Sequence, residues 1–121
     1  MKWIDVGPLA ALPERGARVV RIGAIDIAVF RTGAGETYAL RDRCPHRGGP
    51  LSQGIVHGER VTCPLHDWVI DLKTGNATGA DQGCTATFAA RVEDGRVLIA
   101  VSDELLGATA LLAARLLAAH T

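Results

Sequence analysis

The chain lacks an excess of charge of either sign, and it has few cysteines. Thirteen of its 121 residues are acidic and thirteen are basic, so the formal net charge is zero. This balance gives no broad basic field for nucleic acid or for an anionic membrane surface. Cysteines number three, which is odd, and two of them fall in a metal-binding pattern, so no disulfide framework is available. We therefore expect no nucleic-acid partner and no disulfide scaffold.

Several other signals are also missing. Trp3 and Asp5 interrupt any basic-then-apolar leader after Met1. The apolar stretch Leu105–Ala119 carries Arg115 and is shorter than the roughly twenty residues that span a bilayer. A serine–histidine–carboxylate grouping, a P-loop and a dinucleotide glycine fingerprint are all lacking, so no site for nicotinamide, flavin or nitrite is evident. We expect a single domain over residues 1–121, cytoplasmic and without membrane contact, that is too small for a multi-step enzyme.

Two short loops each combine one cysteine with one histidine. Cys44 and His46 are separated by one residue, and after a gap of sixteen residues Cys63 and His66 are separated by two. This spacing suits a [2Fe–2S] cluster in which the cysteines bind one iron and the histidines bind the other. Because two neutral imidazoles replace two thiolates, the potential rises above that of an all-cysteine cluster, which indicates an electron carrier.

Two alternatives to an iron–sulfur cluster are open. Structural zinc also takes two thiolates and two imidazoles, although zinc fingers usually separate a cysteine pair from a histidine pair. Alternatively, the four residues are unrelated loop and core positions. Features next to the ligands favour the cluster. Pro45 and Pro64 stiffen the loops after each cysteine, and Gly48 and Gly49 let backbone N–H groups approach bridging sulfides.

The ligand pattern resembles the signature of the Rieske family. The runs around it are similar to the small subunit of NAD(P)H-dependent assimilatory nitrite reductase, and the similarity extends from Trp3 to about Val101. Those runs are Cys44–Ser52, Cys63–Trp68, Thr74–Ala77 and Gly79–Thr85, together with the opening Trp3–Val6, Leu12–Pro13 and Gly16–Val19.

This resemblance implies a function and a partner. The partner is a large nitrite reductase subunit that carries flavin, another iron–sulfur centre and siroheme and reduces nitrite to ammonium. The present chain would carry only the Rieske cluster and transfer electrons. The alternative is a Rieske ferredoxin that serves an aromatic-ring-hydroxylating oxygenase, because the same ligands fit another redox partner equally well.

The sequence departs from high-potential Rieske proteins at informative positions. The extra cysteines that form a disulfide in those proteins correspond to Gly49 and Leu65 here. Their serine and tyrosine hydroxyl donors correspond to Trp68 and Ile70, neither of which has a hydroxyl. Fewer donors to the sulfurs leave the reduced state less stabilised, so the resemblance implies a potential near the lower end of the Rieske range. Asp67 replaces a common glycine and tolerates positive φ.

Short apolar segments separated by glycine turns predict an all-β fold, an antiparallel sandwich or barrel. The turns are expected at Gly23-Ala24, at residues 33–35 and at Asp94-Gly95. The Rieske resemblance implies a cluster-binding subdomain at about residues 43–71 inserted in this framework. The predicted strands are Lys2–Asp5, Ala17–Ile22, Ile25–Arg31, Glu36–Arg41, Arg60–Cys63, Trp68–Asp71, Thr85–Glu93 and Arg96–Val101.

The end of the chain predicts a short helix over about residues 103–119. Asp103 can cap it, and leucines and alanines form a wide apolar face. That face packs either on its own domain or on a partner.

Among single residues, we expect Cys84 to be a buried small hydrophobe, His57 to be an exposed turn residue and Trp68 to pack beside the cluster. Arg47 either contacts an acidic partner or is solvated.

Overall fold

The structure is a computed structural model that describes residues 2–65, 67–79, 82–102 and Leu105. Within this part of the chain, strands in three antiparallel sheets and two short 3₁₀ turns make up the regular structure, which confirms the all-β prediction. No helix in it is long and apolar enough to cross a membrane. The strands are β1 (Lys2–Pro8), β2 (Gly16–Ile22), β3 (Ile25–Arg31), β4 (Thr37–Arg41), β5 (Ile55–His57), β6 (Arg60–Thr62), β7 (Val69–Asp71), β8 (Thr87–Phe88), β9 (Ala90–Glu93) and β10 (Arg96–Val101).

The central sheet has the order β2-β3-β4-β8, and β3 is buried on both faces. Side chains alternate along a strand, so Ala28 and Phe30 enter one core while Ile27 and Val29 enter the other. The first core also contains residues of the β5-β6-β7 sheet, and the second contains residues of the β1-β10-β9 sheet. The β5-β6-β7 sheet lies between β4 and β8 in sequence. The ligand loops belong to that side of the molecule.

The predicted turns are present between the strands. Asp94 and Gly95 have φ values of 49° and 74° and connect β9 to β10. Positive φ at both central residues is what a two-residue type I′ hairpin needs, because its twist matches that of the flanking strands. Gly23, at φ 66°, turns the chain between β2 and β3. Turn chemistry therefore predicted these connections correctly.

One strand prediction was wrong and one strand was missed. The segment Thr85–Glu93 is not one strand, because β8 pairs with β4 whereas β9 pairs with β10. The chain changes sheets at Ala89, whose carbonyl accepts a hydrogen bond from the Ala100 N–H at 2.9 Å. Strand β5 was missed altogether, because only Val56 of its three residues is buried and Ile55 is exposed.

The predicted helix over residues 103–119 and its cap Asp103 lie outside the described residues, apart from Leu105. Leu105 packs against the second core. Its backbone N–H donates a hydrogen bond to the Ser102 hydroxyl at 3.1 Å. An N-cap serine accepts this kind of hydrogen bond from the residue three positions later. The capping role of Asp103 stays a prediction.

An ion pair between Asp5 and Arg96 joins β1 to β10 and leads to a prediction about acid stability. The hydrogen bond from Arg96, followed by one from the Gly7 N–H, lowers the pKa of Asp5 below its usual value. A lowered folded-state pKa stabilises the fold above the unfolded-state pKa, and this contribution is lost as the pH falls through the folded-state value. We expect Asp5→Asn to make Tm less sensitive to pH below about 4.

Thermal melts over a series of acidic buffers measure this effect. Glu14→Gln provides the control, because Glu14 is an exposed carboxylate without a side-chain partner among the described residues. Parallel loss of Tm in wild type and Asp5→Asn would show that the ion pair makes no pH-dependent contribution.

Candidate metal centre

The first ligand loop follows β4 and is closed by two backbone hydrogen bonds. The Cys44 N–H donates to the Gly49 carbonyl at 2.8 Å, and the Gly48 N–H donates to the Cys44 carbonyl at 2.9 Å. Gly48 has φ 72°, a conformation that glycine adopts without steric cost. The loop therefore holds Cys44 at its base and His46 at its tip.

The second ligand loop connects β6 to β7. The Cys63 N–H donates to the Trp68 carbonyl at 2.7 Å, which closes this loop at its base. Asp67 has φ 56°, so an aspartate does occupy a left-handed position here, as expected for the residue that replaces a glycine. His66 lies outside the described residues, and its predicted role as a ligand stays a prediction.

The thiols of Cys44 and Cys63 meet in the first core. Both side chains are about 1% exposed, and both cysteines are free. Burial raises the pKa of the Cys63 thiol, a hydrogen bond from the Leu65 backbone lowers it, and a hydrogen bond with the Cys44 thiol raises it further. The negative charge of Asp67 acts in the same direction as burial. Two thiolates this close in an apolar core need a compensating cation, and a metal atom supplies one.

Gly49 allows the two loops to approach each other. A Cβ at this position would lie 3.0 Å from Cys63 Sγ and 3.0 Å from Leu65 Cδ1. Glycine at this position therefore leaves room for the Cys63 thiol. Hydrogen bonds from Gly48 and Gly49 to bridging sulfides stay a prediction.

His46 is held by an aromatic neighbour. Its imidazole stacks on the Trp68 ring with 4.5 Å between centroids and 6° between planes, and its Nδ1 atom is buried. Trp68 is half-buried and packs against the first core, as predicted. Because the indole face covers one side of the imidazole, the ring orientation of His46 is set before any metal binds.

Gly83 lies against the first ligand loop and is tied to Ala77. The Ala77 N–H donates to the Gly83 carbonyl at 2.9 Å, and a Cβ on Gly83 would lie 3.0 Å from Pro45 Cβ. Cys84 follows and pairs with Asn76 in an isolated bridge. We expected Cys84 to be buried, but it is exposed. Its backbone is fixed by the bridge, and its side chain lines a surface depression beside Cys44 and His46.

Three of the four predicted ligands lie in the described part of the chain. The structure brings Cys44 and Cys63 together and holds His46 nearby. His57 is exposed, as predicted, but it ends strand β5 and the turn follows at Gly58-Glu59. One of its ring nitrogens, Nε2, lies 2.7 Å from the Thr62 hydroxyl. Within the described ranges, which do not include His66, no three metal-ligating side chains converge on one point.

The donor set fits a [2Fe–2S] cluster of mixed ligation. Two adjacent thiols from separate loops can bind one metal atom, and an imidazole at the loop tip can bind a second. The apolar core excludes water from the thiol side, which favours a low-charge cluster.

Comparisons with known proteins agree with this geometry. The family model described as "Rieske [2Fe-2S] domain" matches residues 2–89. The ferredoxin component of the naphthalene 1,2-dioxygenase system of Pseudomonas aeruginosa is 32% identical over 102 residues, which cover 84% of this chain and 97% of that protein. A 4beta-methylsterol monooxygenase of Methylococcus capsulatus is 46% identical over 69 residues, 57% of this chain but only 19% of the length of that protein.

A solved structure shares the fold. A Mycobacterium tuberculosis chain described as a candidate NADH-dependent nitrite reductase small subunit superposes with a TM-score of 0.76 at 23% identity, covering 84% of this chain and 96% of that one. At this identity the likeness establishes the fold alone. Together with the family match and the full-length ferredoxin relative, it leads to one conclusion: the chain belongs to the Rieske family, its cofactor is a Rieske-type [2Fe–2S] cluster, and it is an electron-transfer protein.

Proposed function

We propose that the chain is the electron-transfer small subunit of NAD(P)H-dependent assimilatory nitrite reductase. The observation that carries this proposal is the close contact between Gly83 and Pro45 of the first ligand loop. Gly83 belongs to the run Gly79–Thr85, one of the runs that resemble the nitrite reductase branch. The part of the sequence that resembles this branch is therefore also a wall of the metal centre, where it affects which surface a partner meets.

Four residues would hold the cluster. Cys44 and Cys63 would bind one iron and His46 and His66 the other, with His66 outside the described residues. When bound, the cluster supplies a one-electron couple between a donor and an acceptor. The chain supplies the rest: the core keeps water from the two thiols, Trp68 orients the imidazole of His46, and the closed loops limit rearrangement around them.

The large partner would carry the flavin, a second iron–sulfur centre and the siroheme at which nitrite is reduced to ammonium. The small subunit would pass electrons and have no substrate site of its own. We place this assembly in the cytoplasm, because the cluster needs two cysteines that have not been oxidised to a disulfide, and reducing conditions keep them so.

A second candidate function is a ferredoxin for an aromatic-ring-hydroxylating oxygenase. The observation that favours it is that relatives matched over nearly their whole length are ferredoxins. Besides the naphthalene ferredoxin, a ferredoxin of Metapseudomonas resinovorans is 36% identical over 102 residues, which cover 92% of that protein. Those names describe the relatives, and for this chain the oxygenase partner is the alternative proposal.

Growth and recovery of the partner separate the two functions. We expect deletion of the gene to stop growth on nitrite as sole nitrogen source and to leave growth on ammonium unchanged. Wild-type chain should restore growth, whereas a Cys44→Ser chain should not. Affinity purification of the tagged chain from nitrite-grown cells should recover a protein with siroheme absorption. Normal growth on nitrite, with recovery of an oxygenase, would overturn the nitrite reductase proposal in favour of the ferredoxin.

The residues around the site also predict a low redox potential. The positions of the hydroxyl donors in high-potential relatives are taken by Trp68, which stacks on His46, and by Ile70, which is fully buried in the core. Because neither can donate a hydrogen bond to sulfur from a hydroxyl, we expect a midpoint near −150 mV, about the lower end of the Rieske range. A redox titration followed by visible absorption measures it. A clearly positive midpoint would mean that other groups stabilise the reduced cluster.

A further inference from the structure

Three arginines surround the first ligand loop. Arg41, Arg43 and Arg47 are all exposed and line an open depression of about 380 Å³ together with Cys44, His46 and Cys84. We refer to these three side chains as the arginine rim. The described residues that line the depression include no aspartate and no glutamate. The depression beside Cys44 and His46 is therefore lined by positive charge.

The backbone explains why these charges gather on one side. Arg41 ends β4, and a tight turn follows at Asp42, where the Arg43 N–H donates a hydrogen bond to the Arg41 carbonyl at 2.7 Å. Both arginines line the depression after this turn. Asp42, between them, is turned elsewhere, because its carboxylate accepts hydrogen bonds at 2.7 Å from both the N–H and the hydroxyl of Ser52. Arg43 lies over Gly48, whose Cβ position would be 3.2 Å from Arg43 Nε.

The arginine rim is not neutralised within the described part of the chain. The ion pairs found there join Arg21 to Asp26, Arg91 to Glu93 and Arg96 to Asp5, and none includes an arginine of the rim. The whole chain has zero net charge, so this local positive field is a departure from an otherwise balanced surface. Three like charges held close together repel one another, and a partner that presents carboxylates removes this cost.

We propose that the arginine rim is the docking surface for an acidic patch on the redox partner. Under the proposed function, on which this choice of partner rests, the occupant is the large nitrite reductase subunit. Docking there brings the partner over the loop tip that carries His46, so the distance for electron transfer is short. It also makes association dependent on salt, because exposed charges are screened within about 8 Å at physiological ionic strength.

The test compares two double variants with the same change in charge. Arg41→Gln/Arg47→Gln removes two rim charges and leaves Arg43 on Gly48. The control, Arg18→Gln/Arg60→Gln, also removes two exposed charges. Arg18 lies in β2, and Arg60 begins β6, at the end of that strand far from Cys63. Visible spectra first establish that all proteins carry the same amount of cluster. Binding to the purified large subunit is then measured by biolayer interferometry, with both cluster-loaded and cluster-free chain, at low and high salt.

We expect the rim variant to bind about tenfold more weakly at low salt, while the control variant binds like wild type. High salt should weaken wild-type binding to the level of the rim variant and leave the rim variant nearly unchanged. Equal binding of both variants, or wild-type binding that salt does not alter, would overturn the inference.

A second measurement keeps the two proposals separate. If the wild-type chain fails to bind the large subunit at any salt concentration, the proposed function fails. The charge of the arginine rim is then tested separately, by the rates at which small charged oxidants react with the reduced protein. Anionic ferricyanide should oxidise the reduced wild-type protein about tenfold faster at low salt than at high salt, and cationic hexaamminecobalt should show the opposite trend. The rim variant should lose both trends. Salt-independent rates with wild type would overturn the inference as well.

Discussion

Replacing either Cys44 or Cys63 with serine is expected to abolish loading of the cluster. Both thiols are buried and adjacent, and a serine hydroxyl does not ionise in such a core, so it cannot replace a thiolate ligand. Mutating a residue that only hydrogen-bonds to a metal ligand already lowers metal affinity about tenfold or more. Loss of a ligand itself should therefore leave iron and acid-labile sulfide below about a tenth of the wild-type content.

Cys84→Ser is the matched control, because this third cysteine is exposed beside the site. It should keep the wild-type iron and sulfide content and the wild-type visible spectrum. Metal and sulfide analysis of anaerobically purified protein gives the result directly. Full cluster content in Cys44→Ser or Cys63→Ser, or loss of cluster in Cys84→Ser, would show that the ligands are assigned wrongly.

The largest loss of stability from a single added methyl group is expected for Gly75→Ala. Gly75 is buried and has φ 77°. A Cβ there would lie 2.3 Å from the Thr85 carbonyl oxygen and 2.9 Å from Thr87 Cγ2. The positive φ alone costs about 1 kcal/mol, and relieving the clash must break the hydrogen bond from the Thr85 N–H to the Gly75 carbonyl. We expect the free energy of unfolding to fall by about 3 kcal/mol or more.

Gly35→Ala is the control that measures the cost of the backbone conformation without the steric clash. Gly35 has a similar φ of 84°, but a Cβ there would meet nothing within 4 Å. Its variant should lose about 1 kcal/mol. Denaturant unfolding of the two variants measures the difference. Equal losses would mean that the backbone at Gly75 and Thr85 moves apart at little cost, and their contact would then be less rigid than its distance indicates.

Local patterns were sufficient to predict the strands that alternate regularly and the turns that need glycine. Strand β3 was predicted with its observed limits, Ile25–Arg31, and Asp94-Gly95 was predicted as a tight hairpin. The failures came from pairing between distant segments. Whether residues 85–93 form one strand or two depends on whether β4 or β10 is the neighbour, and no local periodicity carries that information.

The candidate site shows the same division. Spacing identified Cys44, His46, Cys63 and His66 as predicted ligands, and the structure shows the two cysteines together in the core. Exposure of Cys84 was not predicted, because it follows from a bridge to Asn76 and not from the apolar character of cysteine. The stacking of Trp68 on His46 depends on how the two ligand loops pack against each other.

The arginine rim had a weak sequence signal. Arg41, Arg43 and Arg47 lie within seven residues around the first ligand loop, which indicates a local excess of positive charge. Their position around one depression and the turning away of Asp42 toward Ser52 depend on the loop that follows. Net charge, which is zero for the chain, conceals this local concentration.

Pulsed electron paramagnetic resonance of the reduced protein can establish whether two thiolates and two imidazoles hold one paired-iron centre. The protein is prepared once with ordinary histidine and once with histidine labelled with nitrogen-15. We expect two histidine nitrogens coupled to the unpaired electron, both altered by the label. A red-brown protein whose spectrum the label leaves unchanged, or a colourless protein that contains zinc and no iron, would contradict this ligand assignment.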